Sequence, residues 1–162
     1  MPQRKPRRLR RHPSRIIEMN AETSAPPVSL GRRLLALLYD LLPLLGLWFL
    51  AGVAGVALTG GALDPHRLDH KILMQTLVLA FSAGYFVTSW TRGGQTIGMR
   101  AWKLRLTMRD GSRVPLPTAL LRFFLACLSL VLLGTGFWWS LFDPQRRTLH
   151  DALADTRMTK LG

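Results

Sequence analysis

The sequence predicts an all-α membrane protein: two transmembrane helices, a third transmembrane or re-entrant helical segment, and a small cytoplasmic β-hairpin. Three observations lead there. The apolar residues of this 162-residue chain are gathered into long blocks instead of recurring at the spacing of a soluble core. The first block, Gly31 to Leu58, is an apolar run of about 25 residues, where about 20 suffice to cross a bilayer. The basic residues, which bring the net charge to +13, cluster before Leu34 and between Thr91 and Pro117, with only Arg67 and Lys71 near the loop between the first two blocks. That asymmetry is the positive-inside pattern and assigns the N-terminus and the Thr91 to Pro117 loop to the cytoplasm. Nucleic acid is not the expected partner, because no aromatic-rich basic motif accompanies the charge. Cys127 is the lone cysteine, so neither an intrachain disulfide nor a thiolate metal site is expected.

Residues 1–29 form a basic tail in which Arg4, Lys5, Arg7, Arg8, Arg10, Arg11 and Arg15 stand among prolines and small polar residues. With few apolar side chains to bury, the tail is expected to be disordered. It serves as a solvated topogenic segment or lies against anionic lipid head groups. Met19 offers an alternative start to Met1.

The first block is longer than a secretion-signal h-region and carries a carboxylate, Asp40, so it reads as a retained anchor. An ionised Asp in mid-membrane costs roughly 2.5–3.5 kcal/mol on insertion scales and calls for a partner or a task. Pro43 removes a backbone donor and is expected to kink this helix. Ala51, Gly52 and Gly55 would let another helix approach closely.

In the outward loop Thr59 to His70, His66 and His70 stand four apart with Asp64 and Asp69 nearby, which without a further ligand reads as a solvated polar loop and not a metal site. Lys71 to Trp90 is the second span, and Trp90 with Arg92 marks its cytoplasmic interface. After it, Trp102, Leu104, Leu106 and Met108 alternate with Lys103, Arg105, Thr107 and Arg109, the period of a strand with one dry face. Asp110-Gly111 is a turn signal, with Ser112 to Val114 as the expected return limb of a hairpin at the inner membrane surface; a plain linker is the alternative, because two strands alone are marginal in water.

The third block, Thr118 to Phe142, contains Arg122 and is interrupted by Gly134-Thr135-Gly136. A single crossing would leave Arg146 and Arg147 outside, against the positive-inside rule; a re-entrant path keeps the tail in the cytoplasm, but its limbs are short for two ordinary spans. Asp143 and Pro144 look like the start of a helix running to about Ala154. Thr156 to Leu161 could form a short strand.

Three pieces, GRRLLALLYD, GQTIGMRAWKLRL, and LRFF with RRTLHDALADT, together resemble the RDD-domain membrane proteins, a bacterial family named for one arginine and two aspartates. The resemblance spans roughly Leu30 to Lys160. It implies a transmembrane domain over 30–161 in a bacterial inner membrane. It places the arginine at Arg33, the first aspartate at Asp40 and the second at Asp151, with Gly94, Gln95, Thr96, Gly98, Arg100 and His150 as further motif positions. Asp155 stands where the family usually has a small residue.

Arg33 and Asp40 are two helical turns apart, about 10 Å along the axis, too far for a direct ion pair. Arg122 lies at a depth comparable to Asp40. The expected pairs are therefore Asp40 with Arg122, directly or through water, and Asp151 with Arg33 if the tail lies inside. Two functions from different classes follow. In one, the charges clamp the helices of an accessory or assembly protein, whose basic face holds lipid or a membrane protein partner. In the other, Asp40 cycles between proton and cation in a small transporter, which would have to be a homo-oligomer because three segments enclose little cavity. No phosphate-cradling loop, HExxH or GxSxG is present, so an enzyme is not expected, and no cofactor or metal is implied.

Overall fold

The computed structural model describes residues 28–132, 139 and 148–161. The basic tail, the Gly134-Thr135-Gly136 break and the Asp143-Pro144 helix start all lie outside the described residues. The elements are α1 (Leu30–Thr59), α2 (Leu68–Gly93), α3 (Ile97–Ala101), β1 (Leu104–Met108), α4 (Leu116–Val131), α5 (Leu149–Leu153) and β2 (Thr156–Lys160).

Both α1 and α2 are long and apolar enough to cross a membrane. Their most apolar stretches are only 17% and 6% buried, unlike the mostly buried core helix of a soluble globule. Leu42, Phe49 and Leu58 on α1 are each exposed by two thirds or more of their surface, an arrangement suited to lipid and costly in water. What α1 does bury is one stripe, Arg33, Ala36, Asp40, Leu44, Ala51 and Gly55, at the three- and four-residue spacing of a helix face. That face packs on α2. Trp48 Nε1 donates to Ser82 Oγ at 2.9 Å across the pair. The helix runs on through Pro43 and stops at Gly60, whose φ of 68° only glycine adopts cheaply.

The connection between α1 and α2 uses its polar groups locally. Asp64 Oδ1 accepts the His66 backbone N–H at 2.8 Å, and His70 Nδ1 accepts the Asp64 N–H at 3.0 Å.

The expected β-hairpin is not formed as read from the sequence. Asp110-Gly111 does turn the chain: Gly111 has φ 81°, and Ser112 returns as far as a hydrogen bond from the Met108 N–H at 2.9 Å. The hydroxyl and N–H of Ser112 hold the Asp110 carboxyl below the usual carboxylate range. But Ser112 to Val114 does not continue as a strand. β1 pairs antiparallel with β2 instead, Leu104 opposite Lys160 and Leu106 opposite Met158. The reason is burial. Leu104 and Leu106 are fully buried, and Met158 covers them with another apolar side chain, whereas Ser112 and Arg113 are exposed.

The packed core therefore lies at one end of the bundle, where α1 begins, α2 ends and α4 begins. It joins Val28, Ala36, Trp90, Met99, Leu104, Leu106, Phe123 and Met158. Because β2 completes it, the tail returns to the same end as the start of α1.

Candidate functional site

The turn after α2 is built for contact with α1. Gly94 ends α2 with φ 66°, its N–H bonded to the Trp90 carbonyl at 3.1 Å and the Gln95 N–H to that of Ser89 at 3.3 Å. A Cβ on Gly94 would stand 2.6 Å from the Leu106 carbonyl oxygen. Gln95 Nε2 donates to the Leu104 carbonyl at 2.7 Å, tying the turn to β1. Thr96 then caps the short α3, its hydroxyl accepting the Met99 N–H at 3.1 Å. Gly98 lies so close to α1 that a Cβ there would run into the Ala36 carbonyl.

This turn delivers the partners of Asp40. The Thr96 hydroxyl donates to Asp40 Oδ2 at 2.6 Å, and the Gly98 N–H to Oδ1 at 2.8 Å. Tyr85, one α2 residue that sequence reasoning passed over, donates its hydroxyl to Oδ1 at 2.6 Å and accepts the Ile97 N–H at 3.1 Å. Asp40 is 2% exposed and is met by three donors, all of them uncharged. Each bond to a carboxylate is worth more than a neutral one, which is how an isolated acid is tolerated nearly three turns inside an apolar helix.

The expected pair of Asp40 with Arg122 does not occur. Arg122 instead gives Nε and Nη2 to Asp151 Oδ1, at 3.1 and 2.6 Å. Asp151 is completely buried and also accepts from Arg33 through Oδ2. Arg33 reaches Thr148 Oγ1 at 3.4 Å as well. The carboxylate of α5 thus ties α1 to α4. The physical reason for the exchange of partners is reach. Asp151 sits between the two guanidiniums at the packed end, while the turn fills the space around Asp40 with donors. The Arg122 guanidinium also lies 4.5 Å above the ring of Trp90, which further fixes its direction.

Of the remaining motif positions, Gly94, Gln95, Thr96 and Gly98 form the turn just described, Arg100 is exposed, and His150 lies on α5, where its side chain is outside what is described. Asp155 has φ 49°, in the left-handed region, where Asp is among the non-glycine residues found more often. Among the described residues no group of histidine, cysteine and carboxylate side chains could hold a metal ion.

Arg33 and Arg122 border a cavity of about 110 Å³ between α1 and α4, floored by Phe86 and Trp90 of α2. Asp40 and Thr96 lie on its wall with Leu37, Ala126, Cys127 and Leu130. Trp90 is 5% exposed, and its indole N–H has no partner among the described residues.

No curated protein and no solved structure matches this chain. The sequence profile described as "RDD family" matches residues 27–155, a span that holds Arg33, Asp40, Arg122 and Asp151 and the whole Gly94–Gly98 turn. With that match over most of its length, the chain belongs to the RDD family.

Proposed function

We propose that this is a multi-pass protein of the bacterial inner membrane, with its N-terminus and basic loop in the cytoplasm, and that its buried charges are a structural clamp in an accessory or assembly component. The observation that carries this reading is the way the charges are used. Both oxygens of Asp151 are taken by Arg33 and Arg122, and both oxygens of Asp40 by Tyr85, Thr96 and Gly98. The whole set is spent on holding helices, turn and tail together. The expected partners are lipid head groups and another membrane protein, and no cofactor, metal or catalytic residue enters the proposal. Proteoliposomes loaded with a pH-sensitive dye and challenged with sodium or potassium test it; the clamp predicts no proton flux above that of protein-free vesicles.

A second reading, cation or proton exchange at Asp40 in a homo-oligomer, is favoured by one feature. Unlike Asp151, Asp40 is balanced by neutral donors alone and borders a cavity. An acid so placed is not committed to an ion pair, and intramembrane acids of this kind mark ion and proton pathways. Cation-dependent flux that vanishes in Asp40→Asn would replace the clamp with this reading.

A further inference from the structure

α1 packs on α2, and α4 packs on α2, but no comparable packing joins α1 to α4. The gap between them is the cavity of about 110 Å³. Its walls are largely hydrocarbon: Leu37 on one side, Ala126 and Leu130 on the other, Phe86 and Phe123 behind. Arg33, Asp40, Thr96 and Arg122 border the same cleft, but most of its lining is apolar, so a hydrocarbon chain lying along that part would remove apolar surface from water. Flanked by helices whose outer faces suit lipid, the cleft has acyl chains as its nearest source of hydrocarbon.

The surroundings add the second half of the ligand. The end of the bundle at which Arg33 lies exposes Arg32, Arg92, Arg100, Lys103, Arg105, Arg109, Arg113 and Lys160, against Asp110 and Asp155 as the exposed acids described there. Such a surface attracts anionic head groups at about 1 kcal/mol per basic residue near the membrane.

We propose that the α1/α4 cleft is a binding site for one anionic phospholipid, with an acyl chain between Leu37 and Ala126 and the phosphate at the basic end. This rests on the membrane reading above and gives that reading a specific lipid partner.

Cys127, the lone cysteine of the chain, lines the cleft and reports on it. The full chain is placed in nanodiscs of phosphatidylcholine alone, or of phosphatidylcholine mixed with phosphatidylglycerol of the same chain length. Labelling of Cys127 by N-ethylmaleimide is followed by intact mass, and retained lipid by native mass spectrometry. Phosphatidylglycerol is expected to slow labelling by on the order of fivefold, since protection scales as one plus ligand concentration over Kd. One phosphatidylglycerol is expected to stay bound. Ala126→Phe fills the cleft and should lose that lipid, with Ala126→Leu as the milder variant if the first does not fold. Ala80→Phe, in the separate groove lined by Leu47 and Gly84, should keep it. Equal labelling in both lipids, or a bound lipid that survives both Ala126 variants, overturns the site. A chain that does not enter the discs overturns the membrane reading itself, so the two failures are distinguishable.

Discussion

Gly98 shows how tightly the turn after α2 is pressed against α1. Its missing side chain is where the Ala36 carbonyl sits, so relief requires one backbone to move away from another. Gly98→Ala is expected to cost about 1–3 kcal/mol, the range for overpacking, and to appear as a lower melting temperature in detergent. Tyr85→Phe removes a donor from the buried Asp40 carboxylate and an acceptor from the Ile97 N–H. A loss of about 1.5–3 kcal/mol is expected in the same melt, with the ring packing intact. Asp155 has the opposite problem, a side chain at φ 49°. Asp155→Gly should stabilise by about 0.5–1 kcal/mol, because glycine enters the left-handed region without steric penalty. The ion pair it gives up, to Arg109 at 3.8 Å with both side chains well exposed, contributes little.

At the scale of elements, what could be read from the sequence was local. The approximate extent of α1 and α2 followed from their apolar runs, although α2, read as Lys71 to Trp90, runs from Leu68 to Gly93, and the dry face of β1 followed from the alternation of Leu104 and Leu106. The partner of β1 did not follow, because a nearby turn signal at Asp110-Gly111 competed with a strand some fifty residues further on. Only burial of Leu106 against Met158 decides between them, and that is a three-dimensional quantity. Asp40 was misassigned for a related reason. Its solution uses uncharged donors, a hydroxyl from Thr96, a phenol from Tyr85 and a backbone N–H, and charge matching along the sequence cannot find neutral partners. The observed register makes a direct prediction. In a Cys127→Ser background, cysteines at Thr107 and Arg157, which are opposite each other, should cross-link on mild oxidation. A pair at Thr107 and Arg113 should not, and preferential cross-linking of that second pair would restore the local hairpin.

For the whole molecule, the packed core and every buried ion pair among the described residues lie at one end of two lipid-suited helices. The fold is therefore fastened at that end, and Asp151 is the point through which the tail is tied to α1 and α4. Breaking a buried pair leaves a charge without compensation, which usually costs about 3–5 kcal/mol, so Asp151→Asn should be among the most damaging single changes. The most direct test is a pair of double-mutant cycles on melting stability in detergent, Arg122→Met with Asp151→Asn and Arg122→Met with Asp40→Asn. The first cycle should show a coupling on the order of 1–3 kcal/mol and the second a clearly smaller one. Additive losses for Arg122 and Asp151, or stronger coupling of Arg122 to Asp40, would contradict the clamp.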